Sequence, residues 1–96
     1  MSIAYLAHAS VSDEEYRRVE EDAMREPPPE GHVLHLSGKA DDGTRWFVDV
    51  WENVEAAQRF ERDRLFPAFE RHGISPGAAP TVIEVDVLGG AAVAAV

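Results

Sequence analysis

Six segments in the order β-α-β-β-α-β predict an α+β domain of the ferredoxin-like kind, an antiparallel sheet with two helices on one face. Three observations carry the order. A capping box follows a short apolar run and opens an amphipathic helix. Two runs rich in β-branched and aromatic residues flank an Asp-Asp-Gly turn. A strictly alternating run follows the second helix. The 96-residue length suits one domain, expected over residues 1–88, because two halves would each be too small to bury a core.

Residues Ile3 to Ala9 are too few for a buried helix and fit a strand. Ser12 with Glu15 three positions later makes the capping box, and Asp13 and Glu14 suit a helix N-terminus. Tyr16, Val19, Ala23 and Met24 recur at helical spacing, so Arg17, Arg18, Glu20, Glu21 and Asp22 are expected to face solvent in a helix ending by Glu26. Pro27, Pro28 and Pro29 stop it. His32–Lys39 and Thr44–Trp51 form a hairpin around Asp41-Asp42-Gly43. Asn53 caps a second helix with an apolar stripe of Val54, Ala57, Phe60, Leu65, Phe66 and Phe69. Pro67 should kink or restart that helix, and His72-Gly73 should end it. Thr81–Leu88 alternates as a half-buried strand, with Ile83, Val85 and Val87 on one face. Residues 89–96 read as a flexible tail or an arm on a partner.

Charge and composition exclude several functions. Nine Lys and Arg against 18 Asp and Glu leave a net charge of −9, which repels nucleic acid and anionic membrane surfaces. The chain has no cysteine, so disulfides and thiolate chemistry are absent. No basic segment followed by a long apolar run opens the sequence and no apolar run reaches membrane length, so no signal peptide and a cytoplasmic location are expected. No phosphate-cradling glycine motif and no helical metal-ligand pair occurs, so neither cofactor nor metal is expected. His32 and His35, three apart on a strand, should face opposite ways and share no ion.

The first three strands carry apolar groups on both faces: Tyr5 and Leu6, Val33 and Leu36, Phe47 and Val48. Helices can cover one face only. Exposing the other costs roughly 25 cal/mol per Å², so a homodimer with its sheets face to face is expected.

Hairpin register decides the chemistry. A three-residue loop with Gly43 in the left-handed region pairs Ala40 with Thr44. His35 then lies opposite Asp49, Val33 opposite Trp51 and Gly38 opposite Trp46; a two-residue loop would set His35 against Val50. In the first register His35 and Asp49 share a face, with Cβ atoms about 5 Å apart. A carboxylate there fixes the imidazole tautomer and raises its basicity, making His35 a candidate base toward a phenol or an acidic C–H. The plainer alternative is a structural hydrogen bond. Trp51 and Phe47 would wall a flat apolar pocket, with His8, Tyr16 and Trp46 as further candidate binding residues. His32 and His72 read as structural or exposed.

The stretches Pro28–His35, Asp42–Glu52 and Phe60–Ala68 resemble small bacterial dimeric α/β-barrel proteins similar to the antibiotic-biosynthesis monooxygenase-like superfamily. The resemblance covers roughly residues 3–88 and implies the same fold and dimer. It implies no single reaction: members include cofactor-free oxygenases, isomerases, cyclases, haem-degrading enzymes and proteins without known activity. The haem-degrading relatives use an Asn, a Trp and a helix-borne His; Trp46, Trp51 and His72 are present here, but the first strand holds no Asn.

Two functions follow. One is a cofactor-independent monooxygenase, isomerase or cyclase acting on a small aromatic or polyketide-like molecule, with His35 as base and Asp49 orienting it. The other is a non-catalytic ligand-binding or structural dimer. A cavity of about 300 Å³ or more beside His35 or His8 favours the first, and a collapsed space the second.

Overall fold

The computed structural model describes residues 2–77 and 79–89. In chain order it holds β1 (Ile3–Ala9), α1 (Asp13–Ala23), β2 (His32–Lys39), β3 (Arg45–Trp51), α2 (Val54–Phe60), a π-helical turn (Glu61–Leu65), α3 (Phe66–Arg71) and β4 (Thr81–Glu84). The strands form one sheet in the order β2-β3-β1-β4, with every pairing antiparallel. This is the ferredoxin-like plan. Of the tail expected over 89–96, only Gly89 lies among the described residues.

Local chemistry sets the elements as the sequence predicts. Ser12 and Glu15 close the capping box, each side chain accepting from the other's backbone N–H at 3.1 Å. Ala40 N–H donates to Thr44 O at 2.8 Å, and Gly43 takes φ +86°, so the hairpin loop is the three-residue form. Asn53 Oδ1 caps Ala56 N–H at 2.8 Å. Past α3, Gly73 at φ +65° lets Ile74 N–H reach Phe69 O at 3.0 Å and Gly73 N–H reach Glu70 O at 3.2 Å, a Schellman ending.

Four expectations are sharpened or corrected. First, of the two outcomes expected at Pro67, a kink or a restart, the helix restarts, α3 opening at Phe66 with Pro67 in its first turn. A π-helical turn, closed by Phe66 N–H on Glu61 O, precedes it; the extra residue absorbs the mismatch created by a proline that cannot donate. Second, Val54 and Phe66 of the expected apolar stripe stay 40% and 49% exposed; Ala57 is buried as expected, and Ala56 and Ala68 are buried as well. Third, β4 is Thr81–Glu84 rather than Thr81–Leu88, and all four of its residues are exposed. It pairs with Ile3–Leu6, and β1 begins at Ile3, so the ladder runs out there. Fourth, α1 ends at Ala23, within the expected limit of Glu26, but two of its expected outward acids turn inward: Asp22 binds Arg71 and His72 at the end of α3, and Glu20 reaches β2.

Residues paired across strands share a face. Ile3, Tyr5, Phe47, Asp49, Trp51, His35 and Ser37 therefore point to the helices, while Leu6, His8, Trp46, Val48, Leu34 and Leu36 point away. On the helix side Ile3 and Trp51 pack with Ala56 and Ala57, joined by Tyr5 and Phe60. Val19 and Ala23 pack with Ala68, joined by Leu65, Phe69 and Ile74. Gly31, at φ +80°, fits where a Cβ would sit 2.6 Å from the Ala56 Cβ. Among the described residues no helix is long and apolar enough to cross a membrane.

Candidate functional site

His35 and Asp49 meet where the hairpin register places them, with Nδ1 2.8 Å from Oδ1. The register differs at one end. A bulge between His32 and Leu34 sets His32, not Val33, opposite Trp51. The extra residue reverses the face of everything before it, so His32 and His35 lie on the same side, contrary to the expectation of opposite faces. His32 Nε2 sits 3.1 Å from the same Asp49 Oδ1, and its ring packs 4.5 Å from Trp51.

The far nitrogen of His35 meets α1. Tyr16 Oη lies 3.0 Å and Glu20 Oε1 3.1 Å from Nε2. Ser37 donates to Tyr16 Oη at 2.7 Å. With His35 neutral, the chain runs from Ser37 to Tyr16 to Nε2, and Nδ1–H donates to Asp49. With His35 protonated, Nε2–H donates toward Glu20. Arg45 holds Tyr16 in place: its guanidinium lies 4.3 Å from the ring centroid and binds Asp13 at 3.0 Å.

Electrostatics follow from these contacts. The bond to Asp49 is the main influence on His35; burial opposes it, and the charges of Asp49 and Glu20 add, leaving the imidazole above its ordinary 6.5. Burial acts to raise the Asp49 carboxyl, but the bonds from both histidines outweigh it and hold it below its usual range. Burial pushes the Tyr16 phenol up, against the bond from Ser37 and with Glu20 adding to the rise.

These groups face a cavity of about 530 Å³ between the sheet and the helices. Its walls are mainly apolar: Phe47, Trp51, Phe60, Leu65 and Phe69 among them. It exceeds the size a drug-like ligand needs, and His35 faces it; His8 lies at its edge, with its ring turned to the outer sheet face. Tyr16, Phe47 and Trp51 line it as well. Trp46 does not; it points to the outer face, where the His8 ring packs on it at 4.6 Å. Among the described residues, no group of three or more His, Asp or Glu side chains is placed to hold a metal ion.

The sequence reading missed His32, Glu20, Ser37, Arg45 and Glu61. Two had a signal. Ser37 stands two residues from His35 on one strand face, and Glu20 four from Tyr16 on one helix face.

No protein-family model and no curated protein matches this sequence. Solved structures share its fold. A candidate antibiotic biosynthesis monooxygenase from Chloroflexus aurantiacus J-10-fl superposes with TM-score 0.65 at 11% identity, over 94% of this chain and 96% of that one. SnoaB, a cofactor-independent oxygenase from Streptomyces nogalater, gives 0.61 at 15% identity, over 91% and 95%. A heme-degrading protein from Mycobacterium tuberculosis gives 0.58 at 15% identity, over 94% and 100%. The fold is thus that of the antibiotic biosynthesis monooxygenase-like proteins.

Proposed function

We propose that this chain binds a small aromatic molecule in the cavity under its helices and takes a proton from it with His35. The observation that carries the reading is a half-buried imidazole, anchored at 2.8 Å by a partly buried carboxylate, on the wall of a ligand-sized apolar cavity. Asp49 fixes the tautomer that leaves a lone pair on Nε2. A ligand hydroxyl that takes the place of Glu20 there meets a base stronger than free histidine. Loss of that proton makes an arene electron-rich, the activation that cofactor-free oxygenation and isomerisation both require. SnoaB, with the same fold, is a cofactor-independent oxygenase, which supports the oxygenase form of the reading. A second reading, a binding protein without turnover, is favoured by one observation: Nε2 already has two partners within the protein.

The test is a chromogenic phenol. At a pH about one unit below the pKa of 4-nitrophenol, ligand bound to the wild type should absorb as the phenolate, and ligand bound to His35→Ala as the neutral phenol. Bound ligand that stays neutral in the wild type removes His35 as a base.

The reading includes a second copy of the chain against the outer sheet face. Leu36, Trp46 and Ile83 are 50%, 45% and 47% exposed there, flanked by Leu6 and Val48. A surface of this kind is more stable covered. Sedimentation at micromolar concentration should give a dimer, and Trp46→Lys a monomer. A wild-type species of 10.6 kDa would contradict the dimer.

A further inference from the structure

The cavity has a second polar pole. His35, Asp49 and Tyr5 form a row across β2, β3 and β1, so Tyr5 stands two strand spacings, about 10 Å, from His35 along the sheet. On the side of Tyr5 the π-helical turn brings Glu61 to the cavity wall, directly after Phe60 in the chain. Such turns recur at functional sites because the extra residue re-aims a side chain.

Glu61 differs from the other acids of the wall. Asp49 is held by two histidines, Glu20 by His35, and Glu15 by the Ser12 cap. The Glu61 carboxylate has no hydrogen bond or ion pair among the described residues; only its backbone groups are paired, within the helix. Burial raises its carboxyl, and its charge adds to the upward push that burial gives the Tyr5 phenol. A half-buried carboxylate without a partner is costly and is relieved by a donor or a cation. The wall also holds no Lys or Arg among the described residues, and the cationic form of His35 is already engaged by Asp49 and Glu20, so it offers little to a ligand carboxylate or phosphate.

Resting on the aromatic-site reading above, we infer that Glu61 sets the charge preference of the cavity: it selects an aromatic ligand that carries a protonated amine at the end away from His35, and the site rejects aromatic acids. The amine gives the Glu61 carboxylate a charge-assisted hydrogen bond, while the ring lies against Phe60 and Phe47.

The test is calorimetric titration, near neutral pH and at low salt, with three ligands of one shape: 1-naphthalenemethylamine, 1-naphthalenemethanol and 1-naphthoate. The amine should bind the wild type about tenfold more tightly than the acid or better, the scale of one hydrogen bond to a charged group. In Glu61→Gln, which keeps the side-chain shape, the amine-to-alcohol affinity ratio should fall by about tenfold. An acid that binds as tightly as the amine, or an unchanged ratio in Glu61→Gln, overturns the inference while alcohol binding leaves the aromatic-site reading standing. A wild type that binds none of the three overturns both.

Discussion

Trp51→Ala is expected to cost about 3–5 kcal/mol, the largest loss from any single truncation in this chain. Trp51 is the largest fully buried side chain, at 2% exposure. Its ring contacts Phe60 at 5.0 Å and His32 at 4.5 Å, and it packs with Ile3, Ala56 and Ala57. Alanines on α2 cannot move in far enough to fill the space, because a helix closes as a rigid unit. A domain of this size has about 5–15 kcal/mol of stability in total, so the variant should be partly unfolded at 37 °C or in low denaturant. Urea unfolding followed by circular dichroism measures it. A loss under about 1 kcal/mol would mean that the cluster around Ile3 is not the core that ties α2 to the sheet.

Asp49→Leu is the second. One carboxylate oxygen serves both His32 and His35, in a setting where burial alone would expel the charge. Leucine fills the volume but strips two part-buried imidazoles of their acceptor. Each costs about 1–3 kcal/mol, so several kcal/mol of stability should go together with the base. Asp49→Asn separates the two effects. Its amide oxygen still accepts from both rings, so the fold should survive, but the negative charge that raises His35 is gone.

The pH dependence has a definite sign. The folded-state value of His35 lies above 6.5, so its contribution to stability is full below pH 6.5 and is lost as pH rises through that higher value. Asp49 is lowered, so its contribution is present above its ordinary 3.8 and lost as pH falls through the lower folded-state value. Wild-type stability should therefore decline on the alkaline side of pH 6.5, and Asp49→Asn should flatten that decline. Any rate limited by neutral His35 should rise over the same interval, and its midpoint should move to lower pH in Asp49→Asn.

The parts of the fold legible in the sequence were those with a local steric cause. Gly43 can adopt a positive φ that fixes a three-residue loop, and from that loop the pairing of His35 with Asp49 follows by counting. Ser12 and Asn53 marked both helix starts because their side chains satisfy backbone donors that nothing else reaches. What stayed hidden arises from packing between distant segments. The bulge at Val33 carries no glycine or proline to announce it, yet it turns His32 onto the face of Asp49. Pro67 announced a disturbance, but the placement of the π-helical turn at Glu61–Leu65, and with it Glu61 on the cavity wall, depends on how the helices seat on Val19, Ala23 and Ala68. Glu20 looked like one more solvated acid until the sheet brought His35 beneath it. Trp46 was placed opposite Gly38 as expected, but on the face away from the cavity.

All of this depends on the space under the helices being a ligand site with His35 at its wall. The most direct measurement is a crystal soaked with 1-naphthol. The account predicts ring density between Phe47 and Phe60 with the hydroxyl oxygen within hydrogen-bond distance of His35 Nε2. A cavity filled by its own side chains, or a naphthol bound elsewhere with His35 still held by Tyr16 and Glu20, would contradict it.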